Sequence, residues 1–232
     1  MRIACLGVLL GALTLSPAFA QDSPVVVELF TSQGCSSCPP ADAFLTDLAH
    51  RAPGVLPLAF HVTYWDSLGW KDPYSLGAAT TRQRDYARTL GHDGVYTPQM
   101  IVNGLEGFVG SDRAVGLDAI ARAARNRTEP VTVGLTRQGD SLVISVGAGS
   151  GKARILVVGF DPAHETHIGR GENSGRTVLE SNIVRSLTSA GFWSGAPIAS
   201  RQPPPLGEAA AVLLQADDGR IIGAARLKNP AS

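Results

Sequence analysis

Val25-Val26-Val27-Glu28-Leu29-Phe30-Thr31-Ser32-Gln33-Gly34-Cys35-Ser36-Ser37-Cys38-Pro39-Pro40 is the stretch on which the architecture turns. Its first six residues form a short β-branched, apolar run that reads as a buried strand. Beyond the prolines, Phe44, Leu45 and Leu48 recur at helical spacing within 41–51. The order is therefore strand, Cys-x-x-Cys, helix. A thiolate in the turn that opens a helix faces unpaired backbone N–H groups and the positive end of the helix dipole, which lowers its pKa. Pro39 and Pro40 lack N–H groups and suit a first turn. The regular helix is thus expected to start near Cys38, with Cys35 just ahead of it and the more exposed of the two.

Working outward to the N-terminus, Arg2 precedes an uncharged apolar run over 3–15, and Ala18-Phe19-Ala20 offers a small-x-small cleavage site. This reads as a secretory signal over 1–20, with a mature chain beginning at Gln21. The run falls short of the roughly 20 residues a spanning helix needs, and Ser16-Pro17 interrupt its end. Cys5 leaves with the signal, so the mature chain keeps Cys35 and Cys38 in an oxidising, periplasmic or extracellular compartment. One pair is no disulfide framework, and a bridge across four residues restrains the unfolded chain little. Two thiols do not complete a structural zinc site. Reactivity remains the reason for placing them so close.

Composition narrows the partners. The chain has 232 residues, 44% of them hydrophobic, and carries 20 basic against 20 acidic side chains. That describes one large or two modest globular domains and excludes disordered and collagen-like chains. A formal charge of zero provides no basic stripe to concentrate nucleic acid or anionic lipid. No nucleic-acid partner and no stable membrane insertion after signal removal are expected.

Some sixty residues beyond the cysteines stands Val95-Tyr96-Thr97-Pro98-Gln99-Met100-Ile101-Val102-Asn103-Gly104. Together with strand, Cys35-x-x-Cys38 and helix, this resembles the thioredoxin fold, and the Thr-Pro-x-x-x-Val-Asn-Gly form is similar to that of the periplasmic disulfide-bond proteins. The resemblance implies a cis peptide at Pro98, a proline facing the cysteine pair, and a Thr97 backbone able to pair with an extended substrate segment. It also implies a buried acid on the strand before the cysteines that helps move the resolving thiol's proton. Glu28 matches that position if one extra residue is allowed in the following loop; the plainer reading of Glu28 is a hydrogen-bonded core acid.

More closely, Glu28-Leu29-Phe30-Thr31-Ser32-Gln33-Gly34-Cys35, Phe60-His61-Val62-Thr63-Tyr64-Trp65-Asp66 and Arg170-Gly171-Glu172-Asn173 resemble a family of secreted bacterial thioredoxin-like proteins of unknown function. That resemblance spans nearly the whole mature chain and implies fold and export without naming a substrate.

The remaining pattern divides the chain. Strands are expected over 56–64, 99–102 and 106–109, and helices over 74–90 and 112–125, giving an α/β, thioredoxin-like domain over 21–127. Asn126 to Pro130 lose the periodicity and mark a boundary. Over 128–232 a β-rich, sandwich-like domain is expected, with strands over 131–136, 142–146, 154–160, 209–215 and 220–225 and a turn at Asp218-Gly219. The polar stretch 167–176 reads as a long loop turned toward the cysteine face.

Several signals read as structural. Gly147-Ala148-Gly149-Ser150-Gly151-Lys152 has the wrong spacing for a phosphate loop and reads as a hairpin turn. His164, Glu165 and His167 read as a solvated loop rather than a metal site. His61 reads as a hydrogen-bonded core histidine, and Arg82, Arg84, Asp85 and Arg88 as a solvated helix face. Tyr64, Trp65 and Trp70 pack under a long loop or present Trp65 as an apolar platform to substrate.

These features predict an exported thiol–disulfide oxidoreductase. Cys35 forms the mixed disulfide, Cys38 resolves it, Glu28 assists, and Thr97, Pro98 and Trp65 meet the substrate. No nicotinamide or flavin fingerprint is visible, so no cofactor is expected and an unidentified redox partner protein must recharge the pair. Two alternatives stay open: a scaffold that binds a partner and keeps a permanent disulfide, and a Cu(I) carrier.

Overall fold

The computed structural model describes residues 23–126 and 130–227; the signal read over 1–20, with Cys5, lies outside the described residues. The first half runs β1 (Val25–Thr31), α1 (Pro39–Arg51), β2 (Val55–His61), α2 (Gly77–Leu90), β3 (Gln99–Val102), β4 (Glu106–Val109) and α3 (Arg113–Arg125). The second runs β5 (Val133–Gln138), β6 (Ser141–Val146), β7 (Ala153–His167), β8 (Thr177–Trp193), β9 (Ile198–Gln202), β10 (Ala209–Ala216) and β11 (Ile221–Arg226). The chain is mixed α/β. Eight strands form one mixed sheet in the order β11-β10-β7-β8-β2-β1-β3-β4, and β5-β6-β9 form a small antiparallel sheet.

The continuous apolar run of β1 is explained by its neighbours. It pairs in parallel with β2 and antiparallel with β3, and all seven of its residues are buried, so no polar alternation is needed. Val26 and Phe30 point to one face, and Val25, Val27 and Leu29 to the other. The first face is shared along the sheet: Leu58 of β2, Val158 of β7 and Leu213 of β10 pack there with Ala79 and Tyr86 of α2. The second face has two covers. Phe44, Leu45 and Leu48 of α1 and Ala119 of α3 close it beside β1, and Leu135, Leu142 and Ile144 of the small sheet close it over β7 and β10. Each fully buried Leu or Phe contributes roughly 1.5–3 kcal/mol, which makes both covers cooperative with the sheet.

Strands from both sides of residues 127–129 thus share one sheet, joined where β8 lies parallel to β2 through Ala59 and Ile183. At that join β2 carries Pro57, which has no N–H, and Asn182 meets it with its side chain, donating Nδ2 to the Pro57 carbonyl at 2.8 Å. Asn182 adopts φ +50°, a left-handed conformation that Asn tolerates better than most residues.

Several expectations are corrected. The strand expected over 154–160 extends to His167, and β8 and β9 were not expected. β8 escapes a hydrophobic reading because its buried run, 180–184, opens on Glu180-Ser181-Asn182, of which Glu180 accepts from Gln33 and Asn182 donates to the Pro57 carbonyl. Gly147 to Lys152 form no hairpin turn, since β6 and β7 belong to different sheets and the segment crosses between them. No helix among the described residues is long and apolar enough to cross a membrane.

Candidate functional site around Cys35 and Cys38

Helix α1 opens at the cysteines. Cys38 is its N-cap, with Pro39 and Pro40 in the first turn, and the backbone N–H groups of Ala41 and Asp42 donate to the Cys38 carbonyl at 2.8 and 3.1 Å. Cys35 precedes by one turn, its carbonyl accepting from Cys38 N at 3.2 Å, and the two residues are disulfide-bonded with Cα atoms 5.4 Å apart. The expectation of an exposed Cys35 is corrected: Cys35 is 1% and Cys38 0% accessible. Only Ser36 and Ser37 between them are exposed.

The cover is the β7–β8 loop, residues 168–176. Its base is closed by paired backbone bonds, Ile168 N to Arg176 O at 2.9 Å and Gly175 N to Ile168 O at 2.8 Å. From its tip Asn173, buried, donates Nδ2 to the carbonyls of Gln33 (3.0 Å) and Cys35 (2.8 Å), and Glu172 accepts from Ser36 N at 3.0 Å. The Ser36 hydroxyl, and then its backbone N–H, hold the Glu172 carboxyl below its ordinary range. The loop rests on Trp70: Gly171 has φ +76° and a Cβ there would stand 3.1 Å from Trp70 Cβ, so only glycine fits without strain. The polar loop therefore does turn toward the cysteines.

On the other side stands the corner before β3. The Thr97–Pro98 peptide is cis. A Cβ added at Gly110 would meet Ala41 Cβ at 3.3 Å and Pro98 Cβ at 3.4 Å, which sets Pro98 against the first turns of α1. Trp65 links this corner to the cysteine loop, donating Nε1 to Thr97 Oγ1 at 2.8 Å while its Cβ lies 3.4 Å from the Cβ position of Gly34. Cys35, Cys38, Trp65, Thr97 and Pro98 are thus brought together.

Glu28 does not join them. It shares the face of Val26 and Phe30, opposite α1, and its carboxylate is held by Arg82 (Nη2 to Oε1, 2.8 Å) and by the Tyr86 hydroxyl at 2.9 Å. The match to a proton-moving acid required a shift of one residue, and in a strand one residue inverts the face. Arg82 is corrected in the same step: it is 6% exposed, ion-paired with Glu28 and bonded to Gln215, and is no part of a solvated helix face.

Beneath the cysteine loop lies a buried titratable cluster. His61 Nδ1 meets Asp72 Oδ2 at 2.8 Å, and its Nε2 stands 3.7 Å from Glu180 Oε1, within ion-pair reach but without a hydrogen bond. Burial alone lowers the His61 pKa, but the charges of Asp72 and Glu180 outweigh it and raise it to about 9. Asp72 is held below its ordinary value by His61 and by the Gln33 and Tyr74 backbone N–H groups, which overcome its burial. Burial raises Glu180. Gln33 ties the cluster to the loop: its N–H donates to Asp72 at 2.9 Å, its Nε2 to Glu180 at 2.6 Å, and its Oε1 accepts from Trp70 Nε1 at 3.0 Å. The core reading of His61 thus holds.

The sequence matches, over residues 26–215, the family model described as Protein of unknown function (DUF1223). The chain belongs to DUF1223. A crystal structure of a protein from Agrobacterium tumefaciens agrees with this DUF1223 chain at 35% identity and a TM-score of 0.80, over 92% of this chain and 98% of that one. HBP35 of Porphyromonas gingivalis is similar in fold alone, with a TM-score of 0.58 at 14% identity over 88% of this chain and 74% of its own. No curated protein matches the sequence. What unites the family chemically is therefore to be read from the site.

The site residues missed in the sequence are Asp72, Glu180 and Asp42. The first is an ordinary loop acid to the eye, the second lies in an unrecognised strand, and the third looks like any early helix acid. The one signal available was His61, a buried imidazole that must have a partner. As for metal, Asp161, His164 and Glu208 bring ligand atoms within 4.8 Å of one another, and Asp161 is also ion-paired with Arg185.

Proposed function

We propose that this DUF1223 protein is an exported thiol–disulfide oxidoreductase built on a thioredoxin-like unit. The observation that carries it is the Cys35–Cys38 disulfide at the opening of α1, set beside a cis Thr97–Pro98 corner and above buried ionisable groups. The order β2-β1-β3-β4, with β2 parallel to β1 and the β3–β4 hairpin antiparallel, supports the thioredoxin-like reading. Export rests on the signal-like segment 1–20 and the oxidised pair. Cys35 carries the mixed disulfide, Cys38 resolves it, Thr97 and Trp65 face the substrate, and a separate redox protein recharges the pair.

A permanent structural disulfide in a partner-binding scaffold is the second reading, favoured by the burial of both sulfurs. A redox titration of the mature protein in thiol buffers, with alkylated thiols counted by mass, separates the two. The oxidoreductase reading expects a reversible potential between about −120 and −270 mV; a potential below about −300 mV with Cys35 unreactive in the native protein overturns it.

A further inference from the structure

Exchange at this disulfide raises a proton problem. When the Cys35–Cys38 bond breaks by attack on Cys35, the electron pair falls to Cys38 Sγ, and Cys38 is 0% accessible. A thiolate cannot stay uncompensated in such a place, and no bulk water reaches it to deliver a proton. Glu28 lies on the wrong face of the sheet and is committed to Arg82.

Asp42 stands one helical turn beyond Cys38, its N–H bonded to the Cys38 carbonyl at 3.1 Å, so the two side chains share one face of α1. It is 8% exposed, and its Oδ1 accepts from Thr31 Oγ1 at 2.7 Å, which holds the carboxyl against the last residue of β1. Among the described residues no Lys or Arg pairs with it. The charges that act on its carboxyl are those of Glu180 from β8, His61 from β2 and Asp72 from the loop after β2. Burial, and then the Glu180 charge, push its pKa up to about 8, against the weaker opposing pull of Thr31 and His61.

We propose that Asp42 is the proton carrier of Cys38, the group that protonates the departing sulfur and takes its proton back during resolution. This rests on the oxidoreductase reading above. In the reductive half, a substrate thiolate attacks Cys35 Sγ, the Cys35–Cys38 bond breaks, and the Asp42 carboxyl gives its proton to Cys38. A mixed disulfide, a neutral Cys38 thiol and an Asp42 carboxylate result. In the oxidative half the carboxylate removes the Cys38 proton as that sulfur attacks Cys35, re-forming the disulfide and expelling the substrate thiolate.

The test is the rate at which dithiothreitol reduces the oxidised mature protein between pH 6 and 10, in wild type and Asp42→Asn, read by alkylation and mass. Ionisation of dithiothreitol is common to both, so the ratio of rates isolates Asp42. The expected ratio is about 10²-fold in favour of wild type near pH 7, collapsing toward one above pH 9, as the loss of a general acid gives; Asp42→Glu retains part of the advantage. A ratio of one at every pH overturns the proton role and leaves the oxidoreductase reading standing. A disulfide that no protein form releases at any pH overturns both. Carbon-13 titration of the Asp42 carboxyl in wild type stands independently of any variant's folding: its midpoint must differ between the oxidised and reduced proteins, and equal midpoints overturn the proposal.

Discussion

Asn173 spans 138 residues of sequence to donate its side-chain amide to the Cys35 carbonyl at 2.8 Å, and the same nitrogen reaches Gln33 O at 3.0 Å. One buried amide thus fastens the β7–β8 loop over the disulfide. Each such bond contributes on the order of 1 kcal/mol, and the carbonyls left behind cost more if they stay dry. Local opening must precede any encounter with Cys35, so the population of the open form scales the rate of thiol attack and leaves the chemical step itself limiting.

Asn173→Ala is accordingly expected to speed reduction of the native disulfide by roughly ten-fold, from about 1.4 kcal/mol less opening cost. Stopped-flow reduction with dithiothreitol at fixed pH measures it. An unchanged rate would mean that the loop does not gate the cysteines.

The buried Glu28–Arg82 pair predicts a different pattern. Arg82→Met strands a carboxylate with only the Tyr86 hydroxyl near it and is expected to cost about 3–5 kcal/mol in urea unfolding. Adding Glu28→Leu removes the stranded charge and restores most of that loss. A double variant as unstable as the single one would assign the stability to the surrounding Tyr86 and Gln215 hydrogen bonds instead.

Much of this architecture is legible along the chain where local pattern and burial agree. β1, α1, β3 and β4 follow from apolar runs and helical spacing, and Asp112 caps α3 through Val115 N as its residue type leads one to expect. What is not legible depends on long-range partners. Glu180 is acceptable inside β8 only because Gln33, 147 positions away, satisfies it, and Arg82 is buried only because Glu28 faces α2. The Cys35–Cys38 disulfide and the cis Thr97–Pro98 peptide are legible as motifs in the sequence. The setting of Asp42 is not, since it depends on Glu180 in β8, a strand that pattern does not predict.

Trp65 and Thr97 supply a test of the corner. Their 2.8 Å bond couples the cysteine loop to the cis-proline loop, so Trp65→Phe, Thr97→Val and the double variant form a cycle. A coupling energy of about 0.5–1.5 kcal/mol in urea unfolding is expected, with the disulfide of each single variant also reduced faster by dithiothreitol, a small thiol that needs no contact with either side chain. Additive effects would show that the two side chains touch without holding the site closed.

The cluster under the cysteines predicts how stability depends on pH. Asp42 is raised from 3.8 to about 8 by burial and by Glu180, so the folded state holds its proton more tightly than the unfolded one does. Its contribution is complete below about pH 4 and is lost as pH climbs through 8. His61 acts in the same direction at higher pH: raised from 6.5 to about 9, it stabilises fully below 6.5, and that gain disappears through 9. Asp72, lowered by its partners, adds stability that is lost on acidification instead. Unfolding free energy is therefore expected to fall by more than about 1 kcal/mol between pH 6 and 9 in wild type. Asp42→Asn has no carboxyl to ionise, so its decline between pH 5 and 8 is shallower, while the His61 decline through pH 9 persists. Urea titrations at five pH values distinguish these cases, and parallel profiles for the two proteins would mean that Asp42 ionises in the folded state as freely as in the unfolded chain.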